Sequence, residues 1–203
     1  EATRRAISSN VVAVLGYNYS SNALLAAPLH QEAKLPMITP SASANRLGTM
    51  GRYIHMGCFD NSFMAESLAQ VARTQLKAKK ALILPAADCA YCTDLAESFE
   101  KEFATLGGTV ALKLPVLLDD KDFSSILNRV KNLDFDVVLI PNQELISARM
   151  IAALSRAGIS KPTPWASATR MPRSSSLISP SRTAKSGIMP FRFLPAANPF
   201  PAI

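Results

Sequence analysis

Short apolar runs alternate with amphipathic helical patterns along most of this chain. The runs predict strands at 11–15, 36–39, 53–56, 80–84, 109–116, 136–140 and 162–166. The segments between them predict helices at 22–33, 63–76, 92–106, 123–132 and 145–157. Because neighbouring parallel strands need a crossover connection, usually a helix, this alternation predicts an α/β fold of parallel sheets flanked by helices. The continuous apolar run at 136–140 is typical of a strand buried on both faces.

Details of the first predicted helix, 22–33, limit how it can pack. Leu25, Leu29 and Ala33 share one of its faces at helical spacing. Pro28 is expected either to kink this helix or to mark its first turn, because proline lacks an N–H and clashes with the preceding turn. Further along, Asp60-Asn61-Ser62 is expected to cap the helix at 63–76.

The alternation stops after Trp165. Residues 167–203 show no periodicity and contain six of the 14 prolines of the chain. This stretch is therefore predicted to be an irregular, basic, Pro/Ser-rich tail that contributes little to a core. All 15 carboxylates lie in 1–144, which has 14 basic residues and a net charge of −1, whereas 145–203 carries +8. These positive charges are scattered, with no interleaved aromatic residues, so no nucleic-acid partner is expected.

Hydroxyl side chains follow two strands that are consecutive in the chain. Ser20 and Ser21 come after strand 11–15, and Ser41 and Ser43 lie in the loop after strand 36–39. In an open α/β sheet, ligands bind beyond the carboxyl ends of the strands, so these serines are expected in one crevice. Ser20 also opens a helix, where N–H groups favour a carboxylate. The alternative is that the serines are only caps and turn residues.

The cysteines allow several interpretations. Cys89 and Cys92 form a CxxC, which alone is a weak zinc signal because a structural site needs four ligands. A strand precedes this CxxC and a helix follows, as a thioredoxin-like redox site requires. We interpret the pair as a loop disulfide or as two thiols, and predict no bound metal, no cofactor and no redox turnover.

Several sequence motifs recur in a fixed order. They are V-V-A-V-L-G at 11–16, S-S at 20–21, L-P-M-I-T-P-S-A-S at 35–43, G-R-Y-I-H-M at 51–56, K-K-A-L-I-L at 79–84, Tyr91, F-A-T-L-G-G at 103–108, D-F-S at 122–124 and D-F-D-V-V-L at 134–139. Their order and spacing resemble those of the type I periplasmic solute-binding proteins of the leucine/isoleucine/valine-binding class. These proteins are the capture subunits of branched-chain amino acid ABC transporters.

The resemblance implies a two-lobed fold that encloses a ligand. It assigns 1–57 to an incomplete first lobe, 58–166 to the second lobe and 167–203 to the tail. It also implies a periplasmic or cell-surface protein whose partners are an amino acid or similar carboxylate and a membrane permease. The start of the chain, Glu1 to Arg5, is polar and charged and is not a signal peptide. We expect a fragment whose reading frame changes near residue 167.

The same resemblance implies the roles of individual residues. The ligand carboxylate is expected at Ser20, the Ser41 backbone and the Ser43 hydroxyl, with Ser21 adjacent, and Tyr91 is expected to close over the ligand. The family's acidic residue that holds the ligand ammonium is absent after strand 162–166. Gln143 and Glu144 follow strand 136–140, and Glu144 is the candidate that replaces it.

Two alternative functions stay open. One is a cytoplasmic amide or amino-acid sensor on the same fold. The other is a serine or cysteine hydrolase, which the absence of a G-x-S-x-G elbow disfavours. His55 lies on a predicted strand and is interpreted as a hinge or core residue rather than a catalytic base. We therefore expect a receptor and not an enzyme.

Overall fold

The computed structural model describes residues 1–159 and 165–166. The described α-helices are α1 (Ala2–Ser8), α2 (Ser20–Ala33), α3 (Asn61–Gln70), α4 (Ala90–Thr105), α5 (Ser124–Val130) and α6 (Glu144–Arg156). The described strands are β1 (Val14–Leu15), β2 (Met37–Thr39), β3 (Ile54–Met56), β4 (Lys80–Ile83), β5 (Thr109–Lys113), β6 (Val137–Leu139) and β7 (Trp165–Ala166). A 3₁₀ turn spans Asn45–Thr49, and a π-helical turn, Val71–Gln75, continues α3.

These strands form two separate parallel sheets. The first has the order β1-β2-β3 and the second the order β5-β4-β6-β7, with every pair parallel. The predicted α/β class is therefore confirmed. We call β1–β3 with α1 and α2 the first unit, and β4–β7 with α3 to α6 the second unit. None of the described helices has both the length and the apolar character that a membrane span requires.

The first sheet is buried on one face. Met37 and Ile54 are neighbours in register and pack against Ala23, Ala26 and Ala27 of α2. On the other face, Leu15 and Ile38 are paired and are 77% and 38% exposed.

The buried face of α2 is not the aliphatic one. Leu25 is 77% exposed and Ala33 is exposed, whereas Ala23, Ala26, Ala27 and His30 are buried. Small side chains let the helix approach the sheet closely. His30 is buried because its ring is satisfied: its Nδ1 lies 3.1 Å from the Leu35 carbonyl oxygen and its Nε2 3.2 Å from the Tyr17 hydroxyl.

The second sheet is buried on both faces. Along β4, Ala81 and Ile83 pack against α3 and α4, while Leu82 packs into the core on the opposite face with α5 and α6. Strand β6 repeats the pattern, because Val137 and Leu139 belong to one cluster and Val138 to the other. The two-sided burial predicted from the apolar run at 136–140 is confirmed.

Several local predictions were wrong. The strands are shorter than their apolar runs, since pairing extends only where a neighbouring strand is in register. Helix α1 was not predicted, because its polar sequence has no apolar stripe. Pro28 does not mark a first turn, since α2 begins at Ser20. His55 is not a core residue, because it lies on the exposed face of the first sheet. The predicted cap is confirmed: Asp60 Oδ1 accepts the Phe63 N–H at 2.9 Å. The predicted tail lies outside the described residues.

Candidate functional site

A buried serine joins the two hydroxyl-bearing loops. The Ser20 Oγ accepts hydrogen bonds from the Ser43 and Ala44 backbone N–H groups, both at 3.1 Å. Ser20 and Ser43 are 3% and 4% exposed. Ser20 is the first residue of α2, so these bonds fix the loop after β2 to the start of that helix. We call Ser20 and the loop 40–44 the cradle.

A second set of bonds holds the cradle to the end of β1. The Thr39 Oγ1 accepts the Ala42 N–H at 2.8 Å and the Ser41 N–H at 3.3 Å, and donates to the Tyr17 carbonyl oxygen at 3.0 Å. The Ser41 hydroxyl donates to the Asn18 carbonyl oxygen at 3.2 Å. The Ser41 backbone, which was expected to face a carboxylate, is here bonded to Thr39.

The cradle is also bonded to the second unit, through Asn61 at the start of α3. The Ser43 hydroxyl donates to Asn61 Oδ1 at 2.9 Å, and the Asn61 backbone N–H donates to the Ser43 carbonyl oxygen at 2.9 Å. The Asn61 Nδ2 donates onward to Asp94 Oδ2 at 2.8 Å and to the Tyr91 carbonyl oxygen at 3.3 Å. Asn61 is fully buried, and each of its side-chain polar atoms has a partner.

Asp94, in α4, collects hydrogen bonds from both units. Its Oδ2 accepts the Asn45 N–H at 2.8 Å and its Oδ1 accepts the Asn45 Nδ2 at 3.0 Å. The Asn45 Oδ1 in turn accepts the Ser62 N–H at 2.8 Å. We call Ser43, Asn45, Asn61 and Asp94 the bridging network. Sequence reasoning missed Asn45 and Asp94 as site residues and treated Asn61 only as part of a cap. The sequence did offer a signal for this network: Asn61 lies at the predicted start of one helix, and Asp94 lies close to the predicted start of the next.

Tyr91 and Ser21 lie at the same junction. Tyr91 is half-buried and packs against both cores of the second unit. The Ala90 N–H, beside it, donates to the Ser21 hydroxyl of the first unit at 3.3 Å. The structure therefore brings Ser20, Ser21, Ser43 and the backbone of Tyr91 into one hydrogen-bonded region.

The CxxC is a disulfide between Cys89 and Cys92. Cys89 is the N-cap of α4, so the disulfide closes the first turn of that helix rather than a loop. The third cysteine, Cys58, donates through its Sγ to the Ala42 carbonyl oxygen at 3.5 Å. Across the described ranges, no three His, Cys, Asp or Glu side chains converge as a metal site would require.

Gln143 and Glu144 lie at the start of α6, with Gln143 as its N-cap and Glu144 exposed. Next to them, the buried Asn142 donates through Nδ2 to the Leu84 carbonyl oxygen at 2.9 Å, which ties this loop to the end of β4. The bonds that hold the cradle do not include the side chains of Gln143 or Glu144 in the described part of the chain. Their predicted role stays a prediction.

The comparison with protein families gives one match over nearly the whole chain. The family model described as periplasmic binding protein matches residues 1–199. Among curated proteins, Leu/Ile/Val-binding protein homolog 6 of Brucella abortus (strain 2308) is 24% identical over 126 residues, which are 62% of this chain and 32% of that protein. The homologue from Brucella suis gives the same values. The chain thus spans about a third of these curated relatives.

Solved structures agree. The leucine-binding protein LivK from Thermotoga maritima has a TM-score of 0.74 at 28% identity, over 82% of this chain and 47% of that one. LivJ from Streptococcus pneumoniae, in complex with isoleucine, has a TM-score of 0.73 at 25% identity, over 81% and 47%. A Rhodopseudomonas palustris solute-binding protein in complex with 4-hydroxybenzoate has a TM-score of 0.71 at 26% identity, over 81% and 45%.

The resemblance predicted from motif order is confirmed by the family model, the curated relatives and the solved structures. This chain belongs to the periplasmic binding protein family.

Proposed function

We propose that this protein is the solute-capturing component of an ABC importer and holds the carboxylate of a small ligand at the cradle. The observation that carries the proposal is the buried Ser20, which joins the start of α2 to the loop after β2. A polar junction at the carboxyl ends of two adjacent parallel strands is where ligands of open α/β sheets bind.

The chemistry of the cradle suits a carboxylate. In both of its hydrogen bonds the Ser20 oxygen accepts, so neither bond uses the hydroxyl proton. The first amides of a helix have no partner within the helix, and the helix dipole favours a negative charge beside them. Ser20 is therefore the direct contact, and Ser43, whose hydroxyl donates to Asn61, supports the loop.

The ligands of the similar proteins have the same feature in common. Leucine, isoleucine and 4-hydroxybenzoate all carry a carboxylate, whereas only the amino acids carry an ammonium group. We assign the carboxylate to the cradle and infer that a branched-chain amino acid is the ligand. An amino acid would need a second, acidic partner, because an unpaired buried charge costs several kcal/mol. Glu144 is proposed for that role.

The proposal also covers the cellular compartment of the protein and its division into two lobes. The disulfide at the start of α4 favours an oxidising compartment, hence the periplasm or the cell surface, over a cytoplasmic sensor. We assign residues 1–57 to one lobe and 58–166 to the other, with the bridging network between them. A membrane permease is the proposed partner.

Calorimetric titration tests the proposal. We expect saturable binding of leucine or isoleucine and no binding of leucinamide, which lacks the carboxylate. Ser20→Ala should weaken binding about tenfold or more, since a hydrogen bond to a charged group contributes about 1.5–3 kcal/mol. Ser8→Ala, an exposed serine of α1, is the control and should change nothing. Equal binding of leucine and leucinamide would refute the carboxylate assignment.

A second assay separates a receptor from a hydrolase. Incubation with ester and amide substrates should release no product, while the same preparation binds its ligand saturably. Turnover that disappears in Ser20→Ala or Cys89→Ser would favour the hydrolase instead.

A further inference from the structure

The Cys89–Cys92 disulfide lies where the two units meet. It closes the turn that begins α4, and each residue inside this turn makes a backbone contact with a site element. The Ala90 N–H donates to Ser21 Oγ at 3.3 Å, and the Tyr91 carbonyl oxygen accepts Asn61 Nδ2 at 3.3 Å. Asp94, which binds Asn45 and Asn61, lies two residues beyond Cys92 in the same helix. The position of this turn therefore affects the bridging network at two residues, Asn61 and Asp94.

The two cysteine residues differ in exposure. Cys89 is 7% exposed, whereas Cys92 is completely buried in the core with residues such as Leu82 and Leu84. Cys89, the more exposed of the two residues, is therefore the one that we expect an external thiolate to attack. Attack there leaves Cys92, in the first turn of a 16-residue helix, as the departing thiolate.

We propose that this disulfide is a thiol-exchange site through which a dithiol reductant weakens the ligand site. A reductant thiolate attacks the Cys89 sulfur, the Cys89–Cys92 bond breaks, and Cys92 leaves as a thiolate and takes up a proton. The second thiolate of the reductant then attacks the reductant's sulfur in the mixed disulfide, the bond to Cys89 breaks, and Cys89 leaves as a thiolate that also takes up a proton. Two electrons pass to the protein, and the reductant becomes a disulfide. Each protein molecule reacts once, without turnover.

Reduction affects the ligand site because the reduced turn occupies a larger volume than the disulfide-bonded turn. Two separate thiols occupy more space than two bonded sulfur atoms, and Cys92 is fully buried among packed apolar side chains. The turn therefore moves away from the core, and the bonds of Ala90 to Ser21 and of Tyr91 to Asn61 lengthen. A looser cradle binds its ligand more weakly, since ordering it consumes part of the interaction energy. This inference rests on the proposed function.

The test compares the full chain before and after treatment with dithiothreitol, after removal of the reductant under nitrogen. Titration with leucine should show about tenfold weaker binding in the reduced state, within the range typical of coupled sites, and reoxidation should restore it. The double variant Cys89→Ser/Cys92→Ser should bind as the reduced protein does, with or without dithiothreitol. The control Ser8→Ala, an exposed serine of α1, should keep the full redox response. Equal affinity in both redox states would overturn the proposal.

Hydrogen exchange provides a readout that needs no ligand. Reduction should speed exchange of the backbone amides at 43–45 and 90–94 and leave those at 137–139 unchanged. If the oxidised protein binds no leucine but shows this exchange pattern, the proposed function fails while the thiol-exchange site stands. If the exchange pattern is unchanged, or if dithiothreitol opens the disulfide only after global unfolding, the thiol-exchange site is refuted.

Discussion

The two sheets of this protein are built from similar strands but are buried differently. In the second sheet, β4 and β6 place alternate residues into two cores, one on each face. In the first sheet, Met37 and Ile54 face a single core, while Leu15 and Ile38 on the other face are exposed. Since hydrophobic stabilisation follows the apolar area removed from water, the second unit is the more stable one.

The cradle belongs to the less buried sheet. Its serines follow β1 and β2, yet one of its three sets of bonds leads into the second unit, through Asn61 and Asp94. Because the first sheet is buried on one face only, the cradle takes part of its rigidity from its bonds to the second unit. Three predictions test this difference between the two units, in order of decreasing effect, and a fourth concerns the response of the second unit to acid.

Matched core truncations measure the difference between the units. Leu139 in β6 and Leu47 in the 3₁₀ turn are both fully buried leucines. Leu139→Ala should lower the free energy of unfolding by about 4–5 kcal/mol, and Leu47→Ala by about 2–3 kcal/mol, because the surroundings of a one-sided core relax more easily. Urea unfolding followed by circular dichroism gives both values. Equal losses would show that the two cores are equivalent.

Removing the carboxylate of the bridging network should uncouple the units. Asp94→Ala removes the acceptor of the Asn45 N–H and one of the two acceptors of Asn45 Nδ2 and of Asn61 Nδ2, and should lower the unfolding free energy by about 2–3 kcal/mol. Urea unfolding should then separate into two steps, with the first unit unfolding earlier. Glu97→Ala, an exposed residue of the same helix, is the control and should keep the wild-type transition. A single unshifted transition in Asp94→Ala would contradict the coupling.

A threonine hydroxyl introduced into each sheet should also destabilise the second sheet more than the first, by less than the changes above. Val138 is 1% exposed and Ile38 is 38% exposed, although both lie in central strands. Val138→Thr should lower the unfolding free energy by about 1–3 kcal/mol, because the new hydroxyl has no partner in an apolar core. Ile38→Thr should stay within about 0.5 kcal/mol, as surface substitutions do. Thermal unfolding compares the two, and a larger loss in Ile38→Thr would mean that the exposed face of the first sheet is covered in solution.

The smallest expected effect is the response of the Asp122 carboxyl group to acid. The Ser124 hydroxyl, and after it the Ser124 backbone N–H, holds the pKa of Asp122 below its ordinary value. A depressed folded-state pKa contributes stability above the unfolded pKa, and that stability is lost as pH falls through the folded pKa. Ser124→Ala should raise the Asp122 pKa toward its ordinary value, as followed by NMR titration. Ser125→Ala, its exposed neighbour, should leave the pKa unchanged; an equal shift in both variants would reject this cause.

Much of the fold could be predicted from local patterns. The alternation of strand and helix patterns predicted parallel sheets, and the continuous apolar run at 136–140 predicted a strand buried on both faces. The serines after β1 and β2 predicted a shared crevice, because the carboxyl ends of parallel strands lie at one edge. Ordered motifs along 11–139 predicted the family. All of these follow from periodicity or spacing, which a chain carries without its tertiary contacts.

The remaining features were decided by tertiary structure. Helix α2 buries its alanines rather than Leu25, because close approach to the sheet requires small side chains. Asn45 and Asp94, 49 residues apart, meet only because α4 packs against the loop after β2. Such partners depend on where packed elements bring distant residues together, and no local pattern records that.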